Sequence, residues 1–263
     1  SRGHQFPFVR QDPATVEIWQ IFVLALVGVL AGWLNVLAGG GSLLTVPVML
    51  FMGVPGPVAN GTNRIAILAQ SVTAVTTFRR RGFADFRLSL GLSSAAALGA
   101  VGGASVGVQL EGEWFDRVLA LVMIGVMILM ATGHDKVKPV SGEAQAGNLL
   151  LGHLLMVGAG FWGGFIQIGV GFILMPILHR VMGLDLVRVN MHKVFIVLVY
   201  TLVALAVFAS QLELLWWTGL GLAVGNSIGG WFGAHTTVTH GETLIRRVLY
   251  LALSAFIIKL LFF

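Results

Sequence analysis

Cysteine is absent from the 263 residues, which removes disulfides, thiolate metal ligands and thiol nucleophiles together. Charge is scarce as well: 10% of the residues are Asp, Glu, Lys or Arg, against about 25% in a typical soluble domain. The 11 acidic residues fall in tails, loops or the ends of apolar segments, and no long apolar run holds a carboxylate in its middle. A carrier of cations or protons usually places an acid there, since only function justifies its cost of insertion. The same lack leaves no paired acids for acid–base catalysis, and no His/Glu spacing suggests a metal site. No enzymatic role, no metal and no cofactor is therefore expected. The net charge of +5 is not gathered into a basic stripe with interleaved aromatics, so it does not point to nucleic acid.

What the chain has in abundance is apolar surface. It is 57% hydrophobic with a mean hydropathy of +0.91, a composition that a soluble domain of this length could not keep in solution. Apolar segments recur at about 16–38, 43–52, 58–78, 88–108, 115–131, 149–164, 165–182, 191–209, 214–237 and 244–262. Several match the ~30 Å thickness of a bilayer core, whereas 43–52 is too short to span alone. Runs such as VLALVMIGVMILM lack the period-two alternation of a transmembrane barrel. The first segment is long and follows a polar lead, so it reads as a span and not as a cleaved signal peptide. Glycine accounts for 35 residues, nearly twice the usual share of about 7%, as close helix packing in membranes requires. The expected fold is an all-α polytopic membrane protein with roughly eight to ten transmembrane segments.

The polar stretch 132–147 divides the chain into two nearly equal halves that resemble each other. A shift of 130 positions places Gly28 on Gly158, Gly39 on Gly169, Gly41 on Gly171, Gly53 on Gly183 and Asn60 on Asn190. It also sets Thr62 and Asn63 against His192 and Lys193. Matching interruptions of this kind are the signature of repeats in secondary transporters. The expected organisation is a tail (1–15), a first repeat (16–131), a cytoplasmic linker (132–147) and a second repeat (148–263). Taking 79–87 as cytoplasmic and alternating sides leaves 11 of the 16 basic residues inside and Arg2, Arg10, Arg64, Arg117 and Lys259 outside. This follows the positive-inside rule. It also makes the repeats inverted, with the first two segments of each half folded as a hairpin around its glycine break.

Irregular backbone at membrane depth is tolerated only where it is buried in protein or lines a polar cavity. Two half-helices meeting at a break direct free N–H groups inward, and such ends attract anions. Tight helix packing is the alternative role for these glycines. The GGGSLL stretch is not a nucleotide loop, since no Gly-Lys-Ser/Thr follows it.

AGGGSLLTVPVMLFMGVPGPVANGTNR followed by RRRGFADF resembles the first repeat of the sulfite exporter TauE/SafE family, and GFIQIGVGFILMPIL followed by VNMHKVF resembles its second. This chain carries Gln167 and Ile168 where glycine often stands in the second repeat. The resemblance covers about residues 28–237 and implies a bacterial inner-membrane permease with duplicated inverted halves. It further implies export of a small sulfur oxyanion or organosulfonate such as sulfite or sulfoacetate.

The expected substrate site draws on Gly39, Gly40, Gly41 and Ser42 at the first break and on Gln167, Gly169 and Gly171 at the second. It adds two polar clusters, Asn60, Thr62, Asn63 and Arg64, and Asn190, His192 and Lys193. Arginine suits an oxyanion through paired donors, and lysine acts as a point charge. Lipid-headgroup anchoring is the alternative for Arg64 and Lys193, an interhelical hydrogen bond that for His192. Expected partners are a small sulfite- or sulfonate-class anion and membrane lipid, with a homodimer left open. A non-transporting membrane assembly helper and a permease for another small anion are the remaining readings.

The charge pattern makes a direct prediction about topology. In this cysteine-free chain, Arg80→Cys should resist an impermeant thiol reagent added outside intact cells and react once the membrane is opened. Labelling from outside would overturn the assignment.

Overall fold

The run from Ile18 to Leu37 contains no charge and no proline, and it forms one 20-residue helix, α1 (Ile18–Leu37). Gly39 ends it with φ +85°, a left-handed conformation natural only to glycine, and the N–H groups of Ala38 and Gly39 fold back onto Leu34 O. The chain then returns through the short α2 (Ser42–Phe51) and turns again at Gly53, φ +82°. Pro55 precedes the long α3 (Gly56–Arg80), and Asp85 caps α4 (Phe86–Gly107) by accepting from Leu88 N. The second half begins with α5 (Leu149–Phe165), broken off before α6 (Val170–Pro176). Pro176 lacks an N–H, and the chain continues through a π turn, Ile177–Val181. Asp185 caps α7 (Leu186–Gln211), which is followed by α8 (Trp216–Phe262).

This computed structural model describes residues 18–83, 85–110 and 148–262 with positions 114, 115, 117, 118, 121, 124 and 125, though not the side chains of 86 and 241–262. Among the described residues it is all-helical, with eight α-helices. The expected tail 1–15 and linker 132–147 lie outside the described residues, as does most of the segment 115–131. Three helical stretches, Ile18–Leu37, Arg87–Gly107 and Leu186–Gln211, are long and apolar enough to cross a membrane by themselves. The apolar run 165–182 opens on a break at 166–169 and continues through α6 and the π turn, and 216–237 and 244–262 lie in one continuous helix.

The same order of elements occurs twice: helix, break, short helix, long helix, helix. The left-handed glycines recur with it, Gly39 with Gly169 and Gly53 with Gly183. Contacts give the helix directions. Along α1 and α8, Ala25 meets Gly225, Val29 meets Gly229 and Val36 meets Gly233, so these two run parallel. Ala96 meets Gly160 and Ala100 meets Gly164, so α4 and α5 are parallel as well. Hydrogen bonds at Thr62–Leu215 and Gln70–Asn226 make α3 parallel to α8. Ser89–His192 at one end and Gly107–Phe208 at the other make α4 parallel to α7. Gly61 packs on Phe208 while Phe78 clusters with Met191, so α3 and α7 are antiparallel. Each of α1, α3 and α4 therefore runs opposite to its counterpart α5, α7 or α8.

Apolar side chains cover the outside as well as the core, and polar ones lie inside. Phe22, Leu26, Leu98, Leu150, Leu154 and Trp217 point outward, whereas Asn60, Asn63, Arg64, Gln70, Asn190 and Lys193 are buried. That is how a bundle in lipid must distribute its side chains. Trp231, whose position in an apolar run suggests core packing, is exposed on the outer face.

Glycines set the spacing between paired helices. A Cβ at Gly160 would strike the Ala96 carbonyl, whereas one at Gly158 would meet nothing within 4 Å. Gly160→Ala should therefore cost about 1–3 kcal/mol of stability through overpacking, and Gly158→Ala should be neutral or slightly stabilising. Thermal unfolding of the two variants in detergent tests this; equal midpoints would exclude glycine-limited packing.

Candidate functional site: a polar cavity between two helix breaks

A helix that stops inside a protein leaves its last carbonyls without N–H partners, and the negative end of its dipole with them. α1 and α5 both stop this way, and each is answered by a cation from the opposite half. The Arg64 guanidinium donates through Nη1 to Gly163 O at 2.9 Å and to Gln167 Oε1 at 2.9 Å. Through Nη2 it donates to Gly164 O at 2.5 Å and Asn60 Oδ1 at 3.4 Å. Asn60 Nδ2 takes the next carbonyl, Phe165 O, at 2.9 Å, and the guanidinium lies 4.4 Å from the Phe208 ring centroid. On the other side, Lys193 Nζ donates to Val36 O near the end of α1 and to Asn190 Oδ1, both at 2.7 Å. Arg64 is 0% and Lys193 1% exposed. Neither is a headgroup anchor, and Arg64 does not belong with the loop charges of the outer face. Each is spent first on the end of a broken helix.

The first break touches the first turn of α6. A Cβ on Gly39 would collide with Gly171 Cα, and one on Gly171 with Gly39 Cα. The second break differs in position from the one expected. It spans 166–169, with Gly169 left-handed at φ 70° and Gly171 already in the first turn of α6. Gln167 adopts φ 60°, unusual for a residue with a side chain, and is held there from both ends. Its Oε1 accepts from Arg64 and its Nε2 donates to Thr201 Oγ1 at 3.0 Å. Trp162 Nε1 closes the same break by donating to Ile168 O.

Between the breaks lies a small cavity whose polar lining is Asn35, Ser42, Gln70, Ser71, Gln167 and Lys193. Gly39 and Gly171 also line it, and Val170, Val194 and Val197 provide apolar wall. Lys193 is the only charged side chain among these residues, and no acidic side chain is buried among the described residues.

The structure thus brings together five of the expected residues, Gly39, Ser42, Gln167, Gly171 and Lys193, around one cavity. Asn63 stands behind Ser42, Asn60 supports Arg64, and Asn190 supports Lys193. Gly40 packs under the Phe172 ring, Gly41 against Ala31 O, and Gly169 supplies the turn. Thr62 lies apart, accepting from Leu215 N just before α8. His192 is also apart, its Nδ1 2.8 Å from Ser89 Oγ, an interhelical contact between α7 and α4.

Asn35, Gln70 and Ser71 were not among the expected residues. A signal for two of them exists in the sequence. Gln70 and Ser71 follow Asn63 and Arg64 by seven positions, two turns along the same face of α3.

A family model described as sulfite exporter TauE/SafE matches residues 24–260. The chain is 26% identical over 255 residues to "Probable membrane transporter protein ORF9" of a Sinorhizobium species, covering 95% of both chains. It is 27% identical over 226 residues to a "Probable membrane transporter protein" of Haemophilus influenzae, covering 85% of this chain and 88% of the relative. With "Probable membrane transporter protein YfcA" of Escherichia coli it shares 25% identity over 249 residues, 91% of this chain and 89% of the relative. No solved structure is a significant match.

The geometry makes Arg64 a structural requirement. Arg64→Met would leave Gly163 O, Gly164 O and Gln167 Oε1 buried without donors, at an expected cost of about 3 kcal/mol or more. Arg64→Lys should recover part of this loss. Unfolding in detergent measures both, and a wild-type midpoint for Arg64→Met would mean these carbonyls do not depend on it.

Proposed function

The chain belongs to the sulfite exporter TauE/SafE family and is a membrane transporter; we propose that it exports a small sulfur oxyanion, sulfite or a short organosulfonate, across the bacterial inner membrane. It does so as a multi-pass carrier and not as an enzyme. The observation that carries this reading is the cavity between the breaks, with the Lys193 ammonium in its wall and no buried acid among the described residues. A site of that charge attracts anions and repels cations.

The halves, whose corresponding helices run in opposite directions, are read as inverted repeats. Alternating access then follows from rocking one half against the other about the Gly39–Gly171 contact. The cavity polar groups and Lys193 hold the substrate, while Arg64 keeps the α5 break rigid. This differs from a site in which Arg64, His192 and Lys193 contribute equally. Lys193 has donors directed to Val36 O and Asn190 Oδ1 and one hydrogen remaining.

Purified protein should be stabilised against heat by sulfite, since a ligand of the folded state raises its unfolding free energy. Lys193→Gln should weaken sulfite binding ten- to a hundredfold, the loss of one charged hydrogen bond at ~1.5–3 kcal/mol. It should slow sulfite flux in proteoliposomes correspondingly, with folding followed separately by gel filtration. Absence of binding and flux for every sulfur oxyanion would overturn the proposal.

A further inference from the structure

Resting on the anion-site reading above, we propose that an outer layer of amide side chains turns the cavity groups into hydrogen-bond donors. The site then selects fully ionised oxyanion heads such as –SO3⁻ over heads of the same shape that keep a proton.

A serine hydroxyl has one hydrogen and two lone pairs, and an amide is a donor at one end and an acceptor at the other. What each presents to a ligand depends on which end its neighbours occupy. Asn63 Oδ1 accepts from Thr45 Oγ1 at 2.7 Å, and the Nδ2 end of the amide faces Ser42 and donates to its Oγ at 3.2 Å. The Ser42 hydrogen is left for the cavity. Gln70 Oε1 accepts from Asn35 Nδ2 and from Asn226 Nδ2, each at 3.3 Å, so its NH2 group is the end left to a ligand. Lys193 gives two hydrogens to Val36 O and Asn190 Oδ1 and keeps the third.

Ser71 completes the set. It is 0% exposed, lines the cavity, and its hydroxyl has no partner, the condition of a buried group that awaits a ligand. Its counterpart under the 130-residue shift, Thr201, is already occupied by Gln167 Nε2. The ligand therefore sits toward Lys193 and Ser71, not symmetrically between the halves.

Acceptors in the lining are few. The Asn35 oxygen, the Ser71 lone pairs and one further lone pair each on Ser42 Oγ and Gln167 Oε1 are the neutral ones left, and none of the lining residues is acidic. A head carrying an O–H must aim it at a donor or at one of these few lone pairs, and its protonated oxygen then no longer accepts from the cavity. Either choice forfeits one charge-assisted hydrogen bond, a factor of roughly ten to a hundred in affinity. Asn63 acts here as a positioning residue, through Ser42.

Two ligand pairs isolate the proton. Methanesulfonate and singly ionised methylphosphonate share shape and charge and differ by one hydrogen; sulfate and hydrogenphosphate do the same as dianions. Calorimetry on the full chain in detergent, by competition with sulfite, should find the sulfur member of each pair at least about tenfold tighter. Ser42→Ala and Asn63→Asp, checked for folding by thermal unfolding, should shrink that ratio. Equal affinity within each pair for the wild-type protein overturns the inference and leaves the carrier reading intact. So does sulfite binding with neither methanesulfonate nor sulfate competing. Failure of sulfite itself to bind removes both.

Discussion

Stopping a helix inside a membrane protein strands carbonyl groups where no water can satisfy them, and the centre of this molecule depends on how that is resolved. α5 ends at Phe165, and the Gly163 and Gly164 carbonyls of its last turn are held by Arg64 of the first half. α1 ends near Val36, whose carbonyl is held by Lys193 of the second. A buried cation and a helix C-terminus are each costly alone, and together each relieves the other. The exchange is reciprocal, so each half is incomplete without the other. It fixes where the breaks stand and, through them, where a cavity can exist.

The two caps are not equivalent. Arg64 spreads its donors over two carbonyls, Gln167 and Asn60 and lies near the Phe208 ring. Its planar fork matches that many acceptors, which an ammonium could not. Lys193 uses two acceptors and stands in the cavity wall. Arg64 of the first half thus holds the break of the second as a rigid wall, while Lys193 places a charge in the wall of the cavity. Glycine packing supports both, because α1 against α8 and α4 against α5 approach until backbone meets backbone.

Much of this was legible in the chain. Hydropathy without carboxylates in the runs identified a helical membrane protein, and the 130-residue shift located Gly39 with Gly169 and Gly53 with Gly183, the pairs that are left-handed. The role of Arg64 was not legible. Its partners lie about a hundred residues away, and nothing local distinguishes a cap for another helix from an anion ligand or a headgroup anchor. The second break was expected to reach Gly171 and ends at Gly169 for a local reason: Gln167 can adopt a left-handed turn when Arg64 and Thr201 hold its amide, so the break begins earlier. Asn35 went unseen because an isolated polar residue in an apolar helix carries no label for the face it turns inward, and Gln70 and Ser71 were marked only by their seven-residue spacing from Asn63 and Arg64.

By itself, the sequence determined the class of protein and, to within a few residues, the two interruptions, because hydropathy, helix propensity and the conformational freedom of glycine act over a few residues. Only the tertiary structure decided which polar groups meet. Whether Ser42 gives or receives a hydrogen bond depends on which end of the Asn63 amide faces it. Whether a buried cation binds protein or ligand depends on a carbonyl from the opposite half. Hydrogen bonds are directional and saturable, so the chemistry of the cavity emerges only once the partners are in place.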